Sequence, residues 1–277
     1  MTTPVYDLHC HSTASDGALS PTELVRRAQN QGVTDLALTD HDTIAGLSEA
    51  AAAAHEAGIR LINGIELSAS YHNQCLHIVG LNINPAHNGL QAGIAEQHHL
   101  RSQRAQAIAE KLAKKGIQGA YEAVSLAAGH GEITRLHFAD FLVAQSHVKT
   151  QQEAFDHYLS RGKSAFVPTQ WASLEQTIHW INEAGGIAVL AHPLRYKLSH
   201  KWINKVLDAF KQAGGIGVEV VTGRASVDDI RNSQQYALRH RLLASVGSDF
   251  HSPDNPWVEL GRLAPLPAGL NPVWDAF

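Results

Sequence analysis

Seven short apolar runs separated by helical patterns constrain this chain more than any other feature. They lie at 5–8, 36–38, 59–67, 76–83, 187–190, 216–221 and 242–246. Strand alternating with helix predicts a parallel α/β sheet or barrel. Helix starts are marked by Ser20-Pro21-Thr22-Glu23 and Ser173-Leu174-Glu175-Gln176, both with capping-box spacing, and by Ser199 and Ser226 as N-caps. Gly32, Gly58, Gly185 and Gly214 stand where helices should end in a left-handed residue.

Two places break the alternation. Only eight residues, Ser68 to Cys75, separate the third and fourth runs. A parallel crossover needs a dozen or more, so strands three and four should form an antiparallel hairpin. Between 83 and 187 no strand is evident. A long helix at about 90–115 and shorter ones at 121–127, 135–144 and 151–159 predict a helical insertion over 94–165, capping a barrel made of 1–93 and 166–277. The insertion carries a charge of +2 and the remainder −6, so the insertion is the part better suited to face an anion.

Composition excludes several classes. With 44% apolar and 17% charged residues among 277, the chain can bury a core and is not disordered. No apolar run is long enough to predict a membrane helix, and MTTPVYDLHCHS lacks the pattern of a secretory leader. Two cysteines, Cys10 and Cys75, cannot build a disulfide framework, so a reducing, cytoplasmic setting is expected. A net charge of −4 argues against a general nucleic-acid binder. The 18 histidines, against 22 Lys plus Arg, are the unusual feature.

Many of these histidines fall at strand ends. Strand one ends in Asp7-Leu8-His9-Cys10-His11, with Asp16 in the next loop; His9 and His11, two apart, share a face. Strand two ends near His41, strand three at Glu66, strand five at His192, and strand seven at Asp249 and His251. Strand six carries Glu219 nearer its middle. His77 opens strand four, and an antiparallel hairpin would bring it to the Glu66 end. Carboxyl ends of strands are where barrel enzymes keep their active sites. Singly, each residue reads as a turn former or a hydrogen-bonded histidine. Together, six histidines and three carboxylates packed without metal would be desolvated and mutually repulsive. Nine such groups exceed the needs of one ion. An all-nitrogen-and-oxygen set suits two or three divalent cations, manganese first, with zinc or iron as alternatives.

The segments DLHCHSTASDG, LTDHDT, GIELS, AHP and GSDFH resemble the metal motifs of the PHP (polymerase and histidinol phosphatase) family. ITRLHFADFL, YLSRGKSAFVP and AGGIAVLAHPLRYK, with the insertion, are similar to the branch containing nucleoside 3′,5′-bisphosphate phosphatases and a 5′-to-3′ exoribonuclease. The resemblance implies a distorted (β/α)7 barrel around three metal ions. It assigns His9, His11, Glu66 and Asp249 to one ion, Glu66 with His77 and His192 to a second, and Asp16, His41 and His251 to the third.

Phosphomonoester hydrolysis is the main expectation, through a hydroxide bridging the metals, with His9, His11, Glu66, His192, Asp249 and His251 as the catalytic set. The substrate expected is a nucleoside 3′,5′-bisphosphate, losing its 3′-phosphate. Arg135 at the start of an insertion helix and Arg195 after strand five are the expected phosphate clamps, because arginine binds phosphate bidentately. His137, Lys163 and Lys197 are weaker candidates, and Trp171 and Tyr158 are expected to pack in the core rather than stack on a base. Alternatives are an exonuclease on short 5′-phosphorylated RNA, a histidinol-phosphate phosphatase, and a non-catalytic metal-binding module. No protein partner is evident.

Overall fold

A computed structural model describes residues 3–277. Its sheet has seven strands in sequential order: β1 (Tyr6–Asp7), β2 (Asp35–Leu38), β3 (Arg60–Tyr71), β4 (Gln74–Leu81), β5 (Ile187–Leu190), β6 (Gly217–Thr222) and β7 (Leu243–Gly247). All seven expected strands are present. Leu8 N donates to Val246 O at 3.1 Å, His11 N to Phe250 O at 2.9 Å and Asp249 N to His9 O at 2.7 Å, which brings β7 back to β1 and nearly closes the barrel. Gly247 belongs to this seam. A Cβ there would lie 2.3 Å from the His9 Cβ, so only glycine lets β7 pass beneath that histidine.

The hairpin is antiparallel, as the short link requires, with Ser68 opposite His77 and Glu66 opposite Val79. Its connection is tighter than the apolar runs suggested. Pairing continues to Tyr71 and Gln74, leaving His72 and Asn73 as the turn. The extension was hidden because Ser68, Ser70 and Gln74 interrupt the apolar pattern while still pairing. β4 is also antiparallel to β5.

Helices α1 (Pro21–Asn30), α2 (Leu47–Ala57), α7 (Leu174–Glu183), α8 (His200–Gln212) and α9 (Val227–His240) pack around the barrel, while α3 (Asn88–Ala113), α4 (Ala120–Ala128), α5 (Arg135–Ala144) and α6 (Gln151–Ala154) fill the expected insertion. Ser20 and Ser226 form reciprocal capping boxes. Ser173 caps α7 by accepting from Gln176 N, but the return bond from the Gln176 side chain is not made. The expected helix at 151–159 ends as α-helix at Ala154 and continues as one π turn, Phe155–Leu159.

The insertion has its own core, with Ile108, Leu112, Val124, Phe138 and Leu142 buried together. The expected boundary at 94 falls inside α3. That helix is about 39 Å long at 1.5 Å per residue. Its first turns belong to the barrel, where Leu90 joins the main core and a Cβ at Gly93 would meet the Trp180 ring at 2.4 Å. From Ala105 onward it belongs to the insertion core. Among the described residues, no helix is long and apolar enough to cross a membrane.

Candidate metal centre and phosphate pocket

The strand ends converge as the spacing required. Glu66, fully buried on β3, is the hub. Its carboxylate oxygens lie 3.3 Å from His9, 3.4 Å from His11, 2.8 Å from His41, 3.0 Å from His77 and 3.2 Å from His192. Asp249 Oδ1 lies 3.5 Å from His9, 3.2 Å from His11 and 3.6 Å from His251. Asp16 lies 3.3 Å from His251 and 3.9 Å from His41. All nine candidates therefore meet at one end of the barrel. Three subsets offer ligand atoms close enough to share an ion: His11, Asp16, His41 and His251; His9, His11 and Glu66; and His41, Glu66 and His77.

The donor set fits divalent cations. His9 Nε2, both ring nitrogens of His11, Asp16 Oδ1, His41 Nδ1, Glu66 Oε2 and His192 Nδ1 are buried and in no hydrogen-bond geometry. Buried polar atoms left so are costly. The rings crowd one another, with His11 4.1 Å from His251 and 4.5 Å from His41 between centroids. Burial and these two neighbours push His11 down to about 3. Burial would raise Glu66, yet His9, His41 and His77 hold it well below the usual carboxylate range. A ring held unprotonated beside a carboxylate held ionised supplies donors for a cation. Backbone strain marks the same place. Asp42, His192 and Asp249 adopt positive φ of 52°, 29° and 55°, a cost that tends to be retained at functional sites.

A layer of buried groups aims these side chains. Glu219 Oε1 lies 2.7 Å from His9 Nδ1, and its Oε2 accepts from His192 N at 2.6 Å. Asp40 accepts from Ser12 N, Ser12 Oγ and Ser15 Oγ, each at 2.7 Å, and so shapes the loop that carries Asp16. Asp42 accepts from Ser68 N at 2.7 Å and from Arg101 Nε at 2.7 Å. Gln97 donates to Ser68 O, also at the end of the metal cluster. Arg101 and Gln97 are on α3, so the insertion is tied directly to β3 and to the loop after β2. Sequence reasoning noted Glu219 without a role and missed Asp40, Asp42, Gln97 and Arg101. The signal for the last two was their spacing of four on a helix otherwise crossing the core.

Above the cluster lies a cavity of about 770 Å³. Arg135 lines it, as expected, and so does Arg104, which the sequence had not singled out. Arg101 stacks over Trp171 at 5.2 Å and Arg104 at 5.5 Å, while Arg135 lies over Phe155 at 5.8 Å. Arg101 is neutralised by Asp42. Arg104 and Arg135 have no carboxylate partner among the described residues, and Arg104 Nε is buried without any acceptor. Burial, then the neighbouring Arg135, pulls Arg104 down to about 9. Two adjacent guanidiniums with free donors and no counter-ion make an anion site.

Arg195 also lines the cavity, but its guanidinium donates to Asp249. Two of the weaker candidates do not line the cavity. His137 does not reach the cavity, because its Nδ1 accepts from Thr134 N and completes the cap of α5. Lys163 is exposed in the turn after the π segment and lines no part of the pocket. Trp171 is buried, as expected, yet forms cavity wall beneath the arginines. Tyr158 packs against the insertion core.

A barrel whose mouth gathers buried histidines and carboxylates beside free arginines defines a metal-dependent hydrolase acting on phosphate esters. The chain belongs to the PHP domain family, whose model matches residues 7–223. It is 48% identical to a 5′-3′ exoribonuclease of Haemophilus influenzae, over 99% of this chain and all of the relative. It is 44% identical to a 3′,5′-nucleoside bisphosphate phosphatase of Chromobacterium violaceum, over 97% of this chain and 94% of the relative. Among solved structures, an amidohydrolase from Chromobacterium violaceum with bound sulfate and no metal superposes with a TM-score of 0.93 at 43% identity, covering 98% of this chain and 94% of that one.

Proposed function

We propose that this protein is a divalent-metal-dependent phosphoesterase that removes the 3′-phosphate of nucleoside 3′,5′-bisphosphates and yields a nucleoside 5′-monophosphate. One observation carries the reading: a single cavity holds the Glu66-centred cluster and, away from it, the unpaired Arg104 and Arg135. The cluster takes the reacting 3′-phosphate, and the arginine pair takes the 5′-phosphate. Remote binding energy of that kind raises the rate by positioning the reacting group.

His9, His11, Asp16, His41, Glu66, His77, His192, Asp249 and His251 would hold the ions, three per chain, with manganese the first candidate. When bound, such ions acidify water and offset charge on the phosphoryl oxygens. The chain's own residues prepare the site. Glu219 keeps the His9 Nδ1 proton, so Nε2 faces inward. Asp40 fixes the loop bearing Asp16, and Asp42 fixes β3 at Ser68, two residues past Glu66. Residues 94–165 act as a specificity cap on the barrel. The unpaired thiols Cys10 and Cys75 suit a cytoplasmic enzyme.

A second reading uses the same bond. In a 5′-phosphorylated oligonucleotide the first internucleotide phosphate is also carried on the O3′ of a nucleoside 5′-phosphate, and the Haemophilus influenzae relative is named an exoribonuclease. The deciding experiment is elemental analysis of purified protein with a screen of nucleotides carrying phosphates at different positions. The proposal expects bound divalent metal and a higher kcat/KM for a 3′,5′-bisphosphate than for a 3′-monophosphate. Equal values would remove the second phosphate site.

A further inference from the structure

The cavity is walled by two opposite arcs of the barrel. The insertion stands over the loops after β1, β2 and β3: Glu132 N donates to Ala14 O, Arg101 pairs with Asp42, and Gln97 donates to Ser68 O. Arg104 and Arg135 therefore belong to that arc. The other wall comes from the loops after β5, β6 and β7, which contribute Lys197, Arg224, Asn255 and Val258. In a nearly closed ring of seven sequential strands, these arcs face each other across the Glu66 cluster.

The second wall is also basic, although the barrel as a whole is acidic. Arg195 spends its charge on Asp249. Lys197 and Arg224 are exposed to the cavity and pair with no carboxylate among the described residues. Between the lining residues Asn255 and Val258 stands Trp257, outside the cavity wall itself and 76% exposed, the most exposed tryptophan of the chain. Its backbone N–H is held by Asn255 Oδ1 at 3.2 Å, which ties it to the residue that forms the edge of that wall. Free cations followed by an exposed aromatic ring is the arrangement that tracks single-stranded nucleic acid.

We infer that Lys197, Arg224 and Trp257 form a subsite for the nucleotides that follow the scissile phosphate of a short, 5′-phosphorylated, single-stranded oligonucleotide. The inference rests on the proposed function, which puts the terminal 5′-phosphate on Arg104 and Arg135. With that end fixed on one arc and the first internucleotide phosphorus at the cluster, the remaining strand has to leave by the opposite arc. Hydrolysis there adds OH from water to phosphorus and breaks the P–O3′ bond. The O3′ leaves with the other proton of that water. The products are a nucleoside 5′-monophosphate and a shortened strand that again begins with a 5′-phosphate. A bisphosphate has nothing beyond the scissile phosphate and does not reach this subsite.

The test compares wild type with Trp257→Ala and with Lys197→Gln/Arg224→Gln, after thermal unfolding shows all three folded alike. Each is assayed on a nucleoside 3′,5′-bisphosphate and a 5′-phosphorylated trinucleotide, at fixed salt. The ratio of trinucleotide to bisphosphate kcat/KM should fall about tenfold in Trp257→Ala, the size of one lost base stack. In the double variant the ratio should also fall, and the slope of log Kd against log salt should shrink by about 0.7 per lost contact. An unchanged ratio and slope in both variants would overturn the inference, and so would a wild type that hydrolyses the bisphosphate but not the trinucleotide. A wild type active on neither would end the proposed function instead. The Kd of a phosphorothioate trinucleotide then decides the subsite alone: equal Kd in all three proteins overturns it, and weaker binding by the variants sustains it.

Discussion

Glu219 and His9 lie 2.7 Å apart beneath the metal cluster. The carboxylate only accepts, so His9 Nδ1 carries the proton and Nε2 is left facing Glu66 and Asp249. Glu219 also accepts from His192 N, and one carboxylate thus orients two candidate ligands on different strands. Glu219→Gln keeps the shape but can present an amide donor where a donor already stands. Metal affinity should fall about 10- to 100-fold, read by competition with a chelating dye. Unchanged affinity would mean that Glu219 only fills space.

Glu66 touches five histidines, so its loss should be felt at more than one ion. Glu66→Gln should remove most turnover and lower the metal content per chain, measured by elemental analysis of dialysed protein. A variant with full metal and full activity would sink the Glu66-centred assignment.

Stripping metal should also destabilise the fold, because the buried rings and acids around Glu66 lose their counter-charge. At a metal concentration about 1,000 times its Kd the stabilisation is about 4 kcal/mol, or roughly 10 °C in Tm for a chain of this size. A thermal scan with and without chelator checks this, and coincident curves would contradict it.

Arg135→Ala should weaken use of a 3′,5′-bisphosphate by about 2–4 kcal/mol in kcat/KM, as loss of a buried charge-assisted contact implies. Activity toward a small generic phosphomonoester should fall much less, and bound metal should not change. A uniform loss on both substrates would place Arg135 in the catalytic centre or the fold.

The Arg101–Asp42 pair is buried and joins the insertion to the barrel. Arg101→Ala leaves an unpaired buried carboxylate and should cost about 3–5 kcal/mol, seen as a lower urea midpoint. Arg101→Met with Asp42→Asn should recover most of that. A single variant as stable as wild type would show that the pair adds nothing to the seating of the cap.

The barrel and most of the nine clustered residues were legible in the sequence because each is a local signal: an apolar run, then a polar residue at or just past its carboxyl end, with His77 at the start of its strand as the exception. The hairpin followed from a link too short to cross over. What was illegible depends on where distant elements meet. Glu219 sits mid-strand, and only closure of the ring brings it under His9. Arg104 becomes a pocket residue through the angle at which α3 crosses the mouth. The cap bond of His137 was illegible because a histidine near a phosphate pocket and one completing a helix cap look the same in one dimension. The place of Lys163 was illegible because a basic residue in a loop says nothing of which way the loop faces.

Reversal of a single strand has a dimensional consequence. β4 ends at the face opposite the Glu66 cluster, so α3 has to run back along the barrel before it reaches Asp42. It is wedged on Trp180 at Gly93, gripped by Asp42 at Arg101, and buried in the cap from Ala105 onward. A beam fixed at three points does not hinge. The backbone that carries Arg104 is therefore held in place against the barrel. Under the proposed function, a mount that does not hinge would sort nucleotides by the separation of their two phosphates.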